Sequence, residues 1–139
     1  MKYCAYQDRC QQEVRSKLYD IGAPHESIES IISDLITDNF LNEERFATSY
    51  ARGKFYYKDW GRQKILMELK QRKISDFCLK KGMLEINEGD YLNTIDKLIA
   101  KKGKQLGNCT SPINKKKIAN FLFNKGYESN LIWEALNSA

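Results

Sequence analysis

Apolar residues along this chain recur at helical spacing and do not alternate as strands do. Val14 and Leu18, Ile65 and Leu69, and Ile118 and Leu122 each stand four residues apart. Ten residues after each pair come Ile28, Leu79 and Ile132, and four residues later Ile32, Met83 and Leu136. The three segments, starting at Glu13, Lys64 and Lys117, align without gaps at offsets of 51 and 53 residues. A pattern that returns at such an interval marks a structural repeat. Each copy reads as an apolar-striped helix, a break, and a second amphipathic helix. Gly22 and Gly126 occupy the break in the outer copies, where glycine suits the left-handed residue that ends a helix. The middle copy has Lys73 there, with Ser75 placed to cap the helix carrying Cys78.

The stretches between the copies add one helix each. One runs from Asn42 to Tyr57, with Asn42 as its cap and Glu43 and Glu44 in the first turn, where the helix dipole favours negative charge. A second, from Asp90 to Leu106, carries Leu92, Ile95, Leu98, Ile99 and Leu106 as its stripe. Only a short helix fits before the first copy, from Tyr3 to Arg9. The pattern therefore predicts an all-α chain of three tandem three-helix repeats, spanning 1–41, 42–88 and 89–139. Units of this kind stack on their neighbours into an elongated, curved body that offers a long binding surface.

Composition agrees with a folded chain: 42% of the 139 residues are hydrophobic and 29% charged, with two prolines and eight glycines. No apolar run approaches the roughly 20 residues that span a bilayer, and MKYCAYQDRCQQE carries charges where a secretion signal needs an apolar stretch. The expected compartment is the cytoplasm, with no membrane partner. Cys4, Cys10, Cys78 and Cys109 form no Cys-x-x-Cys pair, and His25 is the single histidine. A zinc site would need Cys4, Cys10 and His25 to converge with a distant fourth ligand, so reduced thiols are expected, with Cys78 as core filling. No phosphate-binding glycine loop occurs. His25 lacks an acid or nucleophile at motif spacing, and the adjacent Glu43 and Glu44 diverge by about 100° on a helix. These features predict a binding protein without a catalytic site, metal or cofactor.

Charge is sorted along the chain. From Asp20 to Glu44 there are seven acidic residues and no Lys or Arg. From Arg52 to Lys73 eight basic residues face Asp59 and Glu68, and from Lys97 to Lys117 seven lysines meet no acid. The net charge of +5 conceals an acidic first repeat and basic second and third repeats. Sorting on this scale steers and orients a charged partner. Placed at 100° per residue, Phe46, Tyr50, Gly53 and Tyr57 form the expected core stripe of the helix from Asn42. Arg45, Arg52 and Tyr56 fall on one flank, Lys54 and Lys58 on the other. Trp60, before Gly61, is expected to pack into the following helix. With Arg62, Lys64, Lys101, Lys102, Lys104, Lys115, Lys116 and Lys117, the flanking residues form the candidate partner-binding set. A direct nucleic-acid binder would use such lysines and arginines on phosphates, with affinity that falls as salt rises.

The run FLNEERFATSYARGKF, Phe40 to Phe55, followed by KDWGRQKILMELKQRKIS, Lys58 to Ser75, resembles the central signature of the RecX family. The matching positions are Glu43, Glu44, Phe46, Ala47, Tyr50, Arg52, Lys54, Trp60, Gly61, Ile65, Leu69 and Ile74, and EVRSKLYDIG from Glu13 is similar to a further family element. The sequence departs at Asp59 and Lys73, where glycine is frequent in the family, and at Arg62, where proline is frequent. The resemblance implies the same three-by-three helical plan. It also implies a modulator that lies in the groove of the RecA–DNA filament and inhibits ATP hydrolysis, strand exchange and coprotease activity. Such a protein acts in recombination, DNA repair and the SOS response. The partners implied are the RecA filament and single- or double-stranded DNA, touched directly or through RecA, by a chain expected to be a monomer.

Overall fold

The computed structural model describes residues 10–37 and 41–138, and among these residues every regular element is a helix. The order is α1 (Gln11–Asp20), α2 (His25–Thr37), α3 (Glu43–Lys58), α4 (Arg62–Gln71), α5 (Asp76–Leu84), α6 (Glu88–Leu106), α7 (Pro112–Asn124) and α8 (Ser129–Ser138). The expected helix over 3–9, together with Cys4, lies outside the described residues. The principal helix pairings join α1 to α2, then α3, α4 and α5 to one another, then α6, α7 and α8 to one another. This is the all-α tandem array of three-helix units expected from the periodicity.

The repeat is visible in backbone geometry. Gly22, Lys73 and Gly126, which coincide in the sequence alignment, all have positive φ, at 81°, 58° and 100°. In each copy the residue that follows donates its N–H back to the aligned leucine carbonyl. Ala23 bonds to Leu18 at 3.0 Å, Ile74 to Leu69 at 3.2 Å and Tyr127 to Leu122 at 3.2 Å. Such a bond satisfies a carbonyl left without a partner at the helix end and turns the chain toward the second helix. Capping is equally local. Asn42 accepts from the Arg45 N–H at 2.9 Å, Ser75 from Cys78 at 3.3 Å, Asn87 from Asp90 at 2.9 Å and Ser111 from Asn114 at 3.2 Å.

Packing divides the chain into two cores. Val14, Leu18, Ile28, Ile32, Leu35 and Leu41 form a small one in the first unit. A larger one runs through both later units, from Phe46 and Ala47 to Ile132 and Leu136, and takes in Cys10 and Cys78. The expected stripe on α3 is corrected here. Phe46 is buried and Tyr50 packs against the core, but Tyr57 is 83% exposed and Gly53 only half-buried, while Ala47, Ala51 and Phe55 are buried. The reason is helix approach: α3 lies so close to α5 that a Cβ on Gly82 would stand 3.0 Å from the Ala47 carbonyl oxygen, so small residues occupy the contact. On α6 the buried residue at the start of the stripe is Tyr91, and Leu92 is 42% exposed.

The second and third units are joined end to end. The N–H groups of Gly61 and Gln63, at the start of α4, donate to the carbonyls of Lys125 and Gly126, just past α7, at 2.8 and 2.9 Å. The positive end of one helix thereby meets the negative end of another. A Cβ on Gly61 would collide with the Gly126 carbonyl, and one on Gly126 with Lys64.

Candidate partner-binding surface

The residues expected to meet a partner divide into two groups around this junction. In the first, carboxylates engage the polar groups. Arg52 pairs with Glu85 at 2.7 Å, and the Tyr56 hydroxyl donates to Asp90 at 2.9 Å, which raises the pKa of that phenol. Arg62 is a structural residue rather than a free surface cation. Its guanidinium pairs with Glu128 at 2.9 Å and with Glu88, and lies 3.9 Å from the centre of the Tyr91 ring. Burial alone would lower its pKa, but Glu128 and Glu88 together raise it. The Arg62 N–H donates to the Tyr91 hydroxyl at 3.0 Å, and that hydroxyl donates to Glu128. Tyr127, stacked near Tyr91 with ring centres 5.2 Å apart, donates to the Asp59 carbonyl at 2.8 Å. Burial drives both phenol pKa values upward, with the Glu128 bond adding to the effect at Tyr91.

In the second group the cations lie on aromatic rings. Lys54 and Lys64 place their ammonium groups 4.8 and 4.3 Å from the Trp60 ring centre. Lys54 is also 5.4 Å from Tyr50, whose ring has Arg72 at 5.1 Å. Across the junction, Lys102 and Lys125 stand 4.7 and 5.7 Å from Phe121, and the Lys125 ammonium donates to the Lys58 carbonyl at 3.4 Å. Through that ammonium, which reaches from Phe121 to the end of α3 just before Trp60, the cations and rings form one strip from Tyr50 and Trp60 to Phe121. Trp60 packs partly against the core, as expected, and its remaining surface lies beneath lysines.

The other expected cations are more dispersed. Lys58, Lys101, Lys104, Lys116 and Lys117 are exposed and have no carboxylate partner among the described residues. Lys115 is half-buried and donates to Asn137 at 3.5 Å, and Arg45 is half-buried near the start of α3. Sequence reasoning missed Tyr50, Arg72, Phe121 and Lys125 on the strip and Tyr91, Tyr127, Glu88 and Glu128 at the junction. A signal existed for two of them. Tyr127 aligns with the apolar Ala23 and Ile74, and Tyr91 lies four residues before Ile95, so both tyrosines stood at core positions that face the junction.

Among the described residues no three His, Cys, Asp or Glu side chains lie together in a metal-holding group, and no helix is long and apolar enough to cross a membrane. Burial pushes the Cys10 thiol up to about 11, so it stays protonated and unreactive at neutral pH. An open cleft of about 420 Å³ separates α1 from α4, lined by Glu13, Lys17, Asp20, Glu68 and Arg72 among others.

Three family models match in succession. They are RecX, first three-helix domain, over residues 1–35, RecX, second three-helix domain, over 42–83, and RecX, third three-helix domain, over 89–136. The chain belongs to the RecX family. It is 28% identical over 137 residues to the Regulatory protein RecX of Prosthecochloris aestuarii, covering 97% of this chain and 87% of that one. The Regulatory protein RecX of Lactobacillus johnsonii is 26% identical and that of Streptococcus uberis 27%, each over 94% of this chain. The chain spans about half the length of these two RecX relatives, 48% and 50%. In fold it is similar to a crystal structure of regulatory protein RecX, with a TM-score of 0.87 at 22% identity, covering 99% of this chain and 68% of that one. A crystal structure of RecX from Lactobacillus salivarius gives 0.85 at 23%, covering 99% and 89%. Asp59 and Lys73, two of the positions at which the sequence departs from the family resemblance, both have φ of 58°, in the left-handed region that favours glycine.

Proposed function

We propose that this chain regulates the RecA recombinase by binding the RecA–DNA filament and lowering its ATP hydrolysis, strand exchange and coprotease activity. The observation that carries the reading is the match of three successive RecX domains to the chain. Its basic second and third units suit acidic filament surface or DNA phosphates, and its acidic first unit suits a basic surface of RecA. We take the units as 1–41, 42–88 and 89–139. In this reading the contacts come from Lys54, Lys58, Lys64, Lys101, Lys102, Lys104, Lys115, Lys116 and Lys117, with Arg45, Arg52 and Tyr56 at the margin. Arg62 contributes by holding the junction. The protein works as a monomer in the cytoplasm, without a cofactor or a catalytic step of its own.

Co-sedimentation with RecA filaments assembled on single-stranded DNA tests this reading. The protein should pellet with filaments and remain in the supernatant with RecA alone at the same concentration. Absence from the filament pellet at one copy per RecA monomer would overturn it. A second reading, direct action on nucleic acid, is favoured by the alternation of cations and rings on the strip.

A further inference from the structure

The junction holds two aromatic rings, each attended by two ammonium groups. Trp60 has Lys54 and Lys64, and Phe121 has Lys102 and Lys125. The backbone between them is rigid, because Gly61 and Gly126 meet with no room for a Cβ and are tied by the bonds from Gly61 and Gln63. No acidic residue pairs with these four lysines among the described residues, whereas Arg52 and Arg62 on the other side of the junction are held by Glu85, Glu88 and Glu128. Carboxylates thus neutralise one side and, apart from Glu68 paired with Arg72 beside Tyr50 at 3.1 Å, leave the strip positive.

Flat rings beside unpaired cations are what single-stranded nucleic acid requires: bases stack on the rings and phosphates take the ammonium groups. A lysine ammonium over a ring waits where a base would lie. On binding it exchanges the ring for a phosphate a few ångströms away, a better partner in charge and hydrogen bonding. Duplex DNA cannot use the rings, because its base faces are already stacked.

We propose that the strip from Tyr50 and Trp60 across the unit junction to Phe121 is a track for single-stranded nucleic acid, with Trp60 as its principal stacking ring and Lys54, Lys64, Lys102 and Lys125 as its phosphate contacts. The inference rests on the filament-binding reading for its setting and deepens it by naming the ligand of this face. It also separates the candidate cations by role, since Arg52 and Arg62 lie off the track.

The test uses the full chain without RecA. A Trp133→Phe variant leaves Trp60 as the one tryptophan, so its emission reports the site. Titration with an oligothymidylate should quench or shift Trp60 emission, with affinity that falls steeply as salt rises. A duplex of equal length should bind roughly ten-fold more weakly. Lys54→Glu and Lys64→Glu should each weaken binding by roughly ten-fold, and Lys80→Glu, exposed on α5 and off the strip, by less than about two-fold. The gentler Lys54→Gln and Lys64→Gln should show the same order should the reversals disturb folding. Unchanged emission at saturating oligothymidylate, equal affinity for duplex, or equal loss from Lys80→Glu would each overturn the track. Failure here alongside filament pelleting removes the track and leaves the regulator reading. Binding here without filament pelleting does the reverse.

Discussion

At Lys73 the chain adopts a left-handed backbone with a side chain that disfavours it, as it does at Asp59. A non-glycine residue in this region costs about 1–2 kcal/mol, part of which glycine returns through the greater freedom of the unfolded chain. Lys73→Gly should therefore raise stability by about 0.5–1 kcal/mol, seen as a higher urea midpoint at unchanged slope. Lys73→Val should lower the midpoint. The break itself was legible in the sequence because the outer copies carry glycine. The conformation of Lys73 became readable only by placing it on their alignment. Arg62 shows the opposite limit. Its charge suggested a surface contact, yet it is held by Glu88 and Tyr91 of α6 and by Glu128 in the turn before α8, a convergence that no local pattern announces.

Tyr91 adds two outcomes at the same scale. Tyr91→Phe leaves the Arg62 N–H without a partner and takes one bond from the Glu128 carboxylate, which keeps its pairing with the Arg62 guanidinium, at a cost of about 1–3 kcal/mol. The raised pKa values of Tyr91 and Tyr127 also carry a pH dependence. Their folded values lie above the ordinary tyrosine value of 10.0, so the neutral phenols stabilise the fold fully below that pH. This stabilisation is lost progressively as pH rises above it, where the unfolded chain releases protons that the folded chain retains. Denaturant midpoints measured at increasing alkaline pH should fall from about pH 10 upward, and the fall should be shallower in Tyr91→Phe.

Among the elements, the helices and their caps were readable from apolar spacing and from Asn42 and Ser75, because those signals act within a turn or two. The buried face of α3 was not. Tyr57 outweighs Ala47 and Ala51 in any count of hydrophobicity, but closeness to α5 selects the small residues, and that closeness is a property of the pair of helices. The junction between the second and third units was equally hidden, since Gly61 looks like an ordinary turn glycine in one dimension. Gly61→Ala would drive a methyl group into the Gly126 carbonyl and prise α4 from the end of α7. Overpacking of this kind costs about 1–3 kcal/mol, and thermal unfolding should show the loss. Gly53→Ala, at a helical site with open space around the added methyl, should be neutral or stabilising.

Over the whole molecule, charge sorting was legible as a count along the chain and divides more finely in three dimensions. The basic second unit has one side where Glu85, Glu88 and Glu128 hold Arg52 and Arg62, and another where Lys54 and Lys64 stand over Trp60 without an acid. A partner that reads net charge alone would respond alike to reversal of Arg52 and Lys58 or of Lys54 and Lys64. One that uses the strip should respond more to the second pair, as filament affinities of the two double variants at matched helicity will reveal. The central claim, that this RecX chain restrains RecA on DNA, is met most directly by the steady-state rate of ATP hydrolysis by RecA on single-stranded DNA as the protein is added. The rate should fall with added protein and be restored when Lys54 and Lys64 are both reversed. A rate unchanged at one copy per RecA monomer would contradict it.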